Sequence, residues 1–414
     1  MWPTDILKKP LPVPSTSTLT RMPPALIVLT LALLLGVQPI TTDLYLPALP
    51  GLTQELGASM AQAQLTLTAL LLAFGVSQLF WGPLSDRFGR RPVLLIGMSA
   101  YVLASLGSAV SPSMDVLIIW RALQGAAMGA AVMCARAIVR DLYTPVQGAS
   151  VMSKGLSGLG VIACLSAPLG GLLTALFNWH AALLALSVFG AVSLTLIAMR
   201  FEETIPVKNP QALQFGTLMR TWLGILRNPT FLAFTALSTF AYSGLFTFLA
   251  SSSFVFIRVL GLTTTQYGLV MFANSFIYLL GTFLCRRLLL RFGVRRTVAI
   301  AGALTLAGGG TVAALAFAGV QSVWAIEVPF ALFMLAHGIH NPCGQSGAVG
   351  PFPQAAGAAS ALNGFLAMVS AFATGQWLGA HMDGTTGPLV MGILFWSVLI
   401  ALSAWTLVQR YGKH

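Results

Sequence analysis

The chain of 414 residues is short of charge: 8% of it is Asp, Glu, Lys or Arg, against 57% hydrophobic residues. A soluble domain carries about a quarter charged residues. No soluble core hides this much apolar sequence, so the solvent must be lipid, and the bilayer is an expected partner. Acids are scarcer than bases, 10 against 22, and the net charge is +12. In a soluble protein such an excess suggests nucleic acid. Here the bases lie in short loops between apolar runs, so nucleic acid is not an expected partner. Cysteine is scarce as well. Cys134, Cys164, Cys285 and Cys343 fall in or beside apolar runs, with no metal or redox spacing. They read as packing residues. There is no Walker-type phosphate loop, which argues against an ATP-driven pump. No nucleophile–base set is evident, so an enzyme is not expected. No cofactor and no metal are expected.

What the chain does have is long apolar runs. A spanning helix needs about 20 mostly apolar residues. Twelve runs qualify, near 24–49, 61–83, 91–111, 115–139, 148–176, 179–199, 229–254, 266–289, 296–319, 322–345, 354–380 and 387–409. The expected fold is an all-α integral membrane protein with twelve transmembrane helices. The longest polar gap, "RFEETIPVKNPQALQFGTLMRTWLGILRNP" (200–229), separates six runs from six. The chain therefore divides into a tail (1–23), a first six-helix half (24–199), a central loop (200–228), a second half (229–409) and a short tail (410–414). The first apolar run is too long for a secretory signal, and no small-x-small cleavage site is clear.

Most positive residues fall on one side of this arrangement. Lys8, Lys9 and Arg21 do so in the first tail, Arg87, Arg90, Arg91 and Arg140 in the first half, Arg200, Lys208, Arg220 and Arg227 in the central loop, Arg286, Arg287, Arg291, Arg295 and Arg296 in the second half, and Arg410 and Lys413 in the last tail. The opposite side has Arg258, with the acids Glu55, Asp115 and Asp383. The positive-inside rule places both termini in the cytoplasm. The halves also resemble each other. A shift of 204 residues aligns Arg87, Phe88, Gly89 and Arg91 with Arg291, Phe292, Gly293 and Arg295. Many secondary transporters are built from such repeats, with a site between the halves near the midplane.

Two intramembrane charges stand out. "PITTDLYLPALP" (39–50) puts Asp43 in the outer third of the first run, between Pro39 and Pro47. Pro47 has no N–H for the carbonyl of Asp43. Such backbone is tolerated at membrane depth only when buried in protein or lining a watery cavity, so Asp43 is expected to face the central cavity. Arg121 lies at similar depth in the fourth run. Each needs a partner, and one shared network is expected; the alternative is a fixed structural ion pair. Glu327, in the tenth run, is a further candidate for proton coupling. Tyr45, Gln124, Arg136, Lys154, Tyr242, Phe246 and His337 are candidate cavity residues, with end-of-helix snorkelling the alternative for Arg136 and Lys154. If they line one cavity, bases equal or exceed acids there. That favours a neutral, zwitterionic or anionic amphipathic small molecule.

The loop "GPLSDRFGRRP" (82–92) carries Gly82, Asp86, Arg87, Gly89, Arg90 and Arg91. Its G-x-L-x-D-R-x-G-R-R pattern resembles the loop motif of the major facilitator superfamily at every specified place. The R-x-x-Q-G pattern from Arg121 looks like that family's second motif. Gly158, Pro168 and Gly171 stand in a run similar to the antiporter signature of its drug-exporting branch, with Ala163, Ala167 and Leu172 replacing glycines. "DLYLPALP" (43–50), "RDLY" (140–143), "FEET" (201–204) and "SGLFTFLASSSFVFI" (243–257) resemble the Bcr/CflA group of drug exporters. The resemblance implies the twelve-helix, two-half fold and a latch between the halves at the 82–92 loop. It also implies a role for Arg121 in proton coupling and exchange of drugs for protons across a bacterial inner membrane. A monomer is expected. The competing reading is a dedicated proton-coupled transporter of one metabolite, such as a purine, an amino-acid derivative or a siderophore.

Overall fold

Backbone polar groups in hydrocarbon must be satisfied within the chain, and helices do this locally. In a computed structural model that describes residues 22–205 and 207–412, every described regular element is helical. Lys8, Lys9, Arg21 and Lys413, read above as tail bases, lie outside the described residues.

The first half begins with α1 (Pro24–Asp43). It stops at Asp43, passes through a 3-10 turn (Leu46–Ala48) and resumes as α2 (Leu49–Glu55). Pro47 and Pro50 each stand in the first turn of a new segment, where a missing N–H costs nothing. The first crossing therefore reaches Glu55, beyond the expected end near 49. The half continues with α3 (Met60–Phe88), α4 (Arg90–Ala109), α5 (Met114–Leu142), α6 (Pro145–Leu176) and α7 (Trp179–Arg200).

The central loop holds a helix the sequence reading did not anticipate, α8 (Phe215–Leu226), packed on α9 and α12. Leu218, Trp222 and Ile225 recur at helical spacing and give it one apolar face. The second half comprises α9 (Pro229–Ser253), α10 (Thr264–Phe317), α11 (Val323–Val349), α12 (Ala356–His381), α13 (Gly387–Trp405) and α14 (Leu407–Tyr411). A π-helical segment, Phe254–Val259, extends α9.

Among the described residues eleven helices are long and apolar enough to cross a membrane. One of them, α10, has 54 residues. At 1.5 Å per residue it would run about 80 Å, far more than a core of about 30 Å needs. Gly293, at φ +71°, breaks it into two crossings, which makes twelve.

The two halves repeat in detail. Ser59 and Gln62 form a capping box that starts α3, and Thr263 and Gln266 form the same box 204 residues later at the start of α10. Gly89 and Gly293, also 204 residues apart, both have positive φ.

The halves meet where α3 packs on α12 and α6 on α10. Small residues let the second contact close. A Cβ on Gly268 would lie 2.9 Å from the Ala167 carbonyl oxygen, and one on Gly171 would lie 2.5 Å from that of Thr264. The Thr264 hydroxyl donates to the Gly171 carbonyl at 3.3 Å. Gly268→Ala should therefore destabilise the protein by about 1–3 kcal/mol, because a backbone atom cannot step aside. Gly310→Ala, in a helix with open space around the new methyl, should stabilise it by about 0.5–1 kcal/mol. Thermal unfolding of the two variants in detergent checks the opposite signs.

Candidate functional site

The break after α1 sets the first part of the site. Asp43 is the last residue of that helix and is half-buried. The Thr42 hydroxyl donates to its Oδ1 at 2.8 Å. The Leu46–Ala48 turn that follows it packs on α9 and α10 of the second half. The Asp43 carboxylate thus sits at the seam between the halves. One turn before it, Gln38 donates to the Tyr242 hydroxyl across the seam at 3.3 Å.

Arg121 is fully buried on α5, inside the first half. Its Nη1 donates to Gln124 Oε1 at 2.7 Å and its Nη2 to the Thr41 carbonyl at 3.2 Å. The guanidinium also lies over the Tyr45 ring, 4.4 Å from the centroid. Around it Gln124 donates to Ser105 at 2.6 Å, the hydroxyls of Thr41 and Tyr101 are hydrogen-bonded at 2.6 Å, and Tyr45 donates to Thr66 at 2.9 Å. Among the described residues no ion pair joins Arg121 to Asp43. The shared network expected from sequence is indirect: Arg121 grips the carbonyl of Thr41, and Thr42 holds the carboxylate of Asp43. Two residues of one helical turn point about 200° apart, which depth alone does not reveal.

The cavity candidates fall in different surroundings. Tyr45 and Gln124 are fully buried partners of Arg121. Phe246 is packed at 2% exposure. His337 is buried between the rings of Tyr278 and Phe333. Lys154 is exposed near the basic end, as snorkelling would have it. Tyr242 and Arg136 are half-buried at the seam, and Arg136 donates to the Ser360 hydroxyl of α12. Glu327, on α11, is buried and accepts from Asn274 of α10 at 2.9 Å, within the second half. Of the helix 6 residues, Gly158 packs against Ala32, and the carbonyls flanking Pro168 and Gly171 face α10.

A second cluster lies at the basic end. Gly89, at φ +110°, turns the chain from α3 into α4. Arg90 is 1% exposed. It pairs with Asp86 at 2.7 Å and with Asp141 at 2.8 Å, and bonds Ser85 at 2.7 Å. Arg140 adds a longer pair to Asp86, 3.5 Å. The Glu203 carboxylate, from the central loop, accepts from the backbone N–H of Arg90 at 2.8 Å and of Arg91 at 3.2 Å. A carboxylate on the first free N–H groups is what the positive end of a helix dipole favours. Arg91 donates to the Ala198 carbonyl at 2.9 Å, and Arg87 is exposed over Phe88. Gly82 packs toward Met133.

All these ion pairs stay within the first half and its outgoing loop. Among the described residues the charges of the 82–92 loop make no ion pair with the second half. At this end the halves are joined by Arg136 with Ser360 and by Arg286 with Ser153 at 3.1 Å. In the second copy Leu290 replaces the acid and is exposed, and Arg295 bonds the Gln409 carbonyl instead.

Sequence reasoning missed Gln38, Thr42, Asn274, Asp141 and Glu203. The usable signal was polarity inside apolar runs for the first three. "RDLY" and "FEET" were visible as words, but their meeting at Arg90 required the fold.

Six helices repeated about a seam that holds a carboxylate is the architecture of secondary transporters. Residues 31–375 match the family model of the Major Facilitator Superfamily, and the chain belongs to that family. Multidrug resistance protein D of Escherichia coli (strain K12) is 33% identical over 340 residues, covering 82% of this chain and 85% of that one. The Bicyclomycin resistance protein homolog of Haemophilus influenzae is 27% identical over 384 residues, covering 92% and 96%. These relatives fit the Bcr/CflA resemblance. Among solved structures, a D-xylose-proton symporter superposes with a TM-score of 0.71 at 16% identity, over 92% of this chain and 97% of that one. The human organic anion transporter MFSD10 gives 0.68 at 21%, over 93% and 99%. Both show the shared fold.

The buried Arg90 cluster is predicted to be interdependent. Arg90→Met strands two carboxylates and should cost about 3–5 kcal/mol. Adding Asp141→Leu should cost less than the sum of the single changes. Unfolding midpoints of both singles and the double variant in detergent test this.

Proposed function

We propose that this chain is a proton-coupled multidrug efflux transporter of the bacterial inner membrane, with both termini in the cytoplasm. The observation that carries the reading is Asp43: a half-buried carboxylate at a helix break, on the seam between the halves. An ionisable group placed there titrates in a cavity that alternately faces each side. The names of the relatives above support drug efflux over a dedicated metabolite carrier.

Alternating access requires the seam to open at one end at a time. It is bridged here at both. At the outer end Arg258 donates to the Pro50 carbonyl and to Gln54 Oε1, each at 2.7 Å, and Gln64 donates to the Ala250 carbonyl at 2.7 Å. At the inner end stand Arg136 with Ser360 and Arg286 with Ser153. Exchange follows if protonation of Asp43 and binding of drug favour opposite openings. Arg121 is a positioning residue, fixing the turn that ends in Asp43 through the Thr41 carbonyl. Glu327 is a second candidate carrier, held by Asn274. The 82–92 network stiffens the inner end of the first half. With Arg136 beside the seam, the substrate class is a neutral, zwitterionic or anionic amphipathic molecule. The transporter works as a monomer, divided as 1–23, 24–199, 200–228, 229–409 and 410–414.

Expression in an efflux-deficient bacterium tests the reading, with proton movement measured in everted vesicles. Wild type should raise resistance to some members of a drug panel and release protons on drug addition. Asp43→Asn should abolish both, with the protein still in the membrane. Full exchange by Asp43→Asn, with loss in Glu327→Gln, would move the coupled proton to Glu327. No resistance to any compound would instead favour a single-metabolite transporter.

A further inference from the structure

At the basic end a cavity of about 600 Å³ opens between the start of α1, the start of α4 and the end of α7. Its lining belongs to the first half and its outgoing loop, away from the seam. Its lining is divided. Arg91, Arg200 and Glu202 supply charge, and Met22, Leu26 and Met199 supply apolar surface. The Glu203 carboxylate on the same wall is occupied by backbone N–H groups, among them those of Arg90, Arg91 and Thr204. That leaves two guanidiniums against the carboxylate of Glu202. The Nε of Arg91 is buried without a hydrogen-bond partner, although its Nη2 is bonded. The adjoining start of α1 has no side-chain cap, so the positive end of a 20-residue helix faces the same region.

The apolar side of the lining continues up the outside of the molecule. Leu29 follows Leu26 by three residues on α1, and Val192 precedes Met199 by seven on α7, so each pair shares a helix face. Leu29 is 49% exposed and Val192 56%. These faces look toward lipid. The cavity is thus a charged recess at the foot of an apolar wall, on the side the positive-inside rule assigns to the cytoplasm.

We propose that this recess binds one anionic glycerophospholipid of the inner leaflet. Its phosphate meets Arg91 and Arg200, and its acyl chains run along Leu29 and Val192. Basic recesses between transmembrane helices on the cytoplasmic side suit such headgroups. A volume of this size accepts a phosphoglycerol group. Arg91 begins α4 beside Glu203, so the lipid braces the same helix start that the loop network caps. The inference rests on the topology proposed above but not on drug transport.

Native mass spectrometry of the full-length protein, with dioleoyl phosphatidylglycerol, phosphatidylethanolamine or phosphatidylcholine added in turn, tests it. One phosphatidylglycerol should be retained in preference to the other two. Arg200→Gln should weaken that retention about five-fold, and adding Arg91→Gln by about as much again. Leu26→Trp, which fills the apolar side, should also displace the lipid while keeping both arginines. Circular dichroism and melting of each variant show that the fold persists. Equal retention of the three lipids, retention unchanged by Arg200→Gln and Leu26→Trp, or equally tight binding of soluble glycerol phosphate would overturn the proposal. Because drug resistance is not the readout, failure here leaves the transport reading standing.

Discussion

Everything in this molecule follows from one constraint: a backbone N–H or C=O in hydrocarbon must find its partner inside the protein. Helices meet it residue by residue, which is why the described regular elements are all helical. The exceptions are therefore informative. The chain leaves α-helical geometry after Asp43, at Gly89, along Phe254–Val259 and at Gly293. Gly89 and Gly293 mark membrane-edge turns on the basic side. The other two breaks lie toward the opposite end, beside the seam. There the π segment carries Arg258, whose guanidinium donates to the carbonyl of Pro50 and so ties one irregular stretch to the other.

The same constraint governs side chains. A charge in this interior persists only where donors or acceptors surround it. Arg90 has carboxylates, and its cluster packs like a rivet at the base of the first half. Arg121 has none among the described residues and is held by a carbonyl, an amide and an aromatic face, with its Nε buried without a partner. Asp43 has, among the described residues, one hydroxyl donor, and it is half-buried at the seam. The charges at the two ends are thus held differently: Arg90 at the basic end is gripped by two carboxylates, whereas Asp43 toward the opposite end is held through one oxygen by Thr42.

Much of this was legible in the residues. Twelve apolar runs, the basic bias of one side and the 204-residue repeat gave the fold, because hydropathy and spacing are local properties. The proline pair around Asp43 foretold the helix break for the same reason. The cavity lining was not legible. Tyr45, Gln124, Phe246 and His337 have the right depth and chemistry, yet all are buried in the packing of the helices. Side-chain direction around a helix decides which groups meet, and a neighbour's rotation is set by interdigitation across the whole bundle.

The sequence by itself determined the membrane as solvent, the number of crossings, the repeat and the presence of an acid where lipid should tolerate none. Each depends on composition or periodicity along the chain. Only the tertiary structure decided that Asp43 and Arg121 stand on opposite sides of one turn, that Asp141 and Glu203 converge on the start of α4, and that Gln38 meets Tyr242 across the seam. Those pairings join residues distant in sequence, and they are fixed by how helices pack rather than by what any one helix contains.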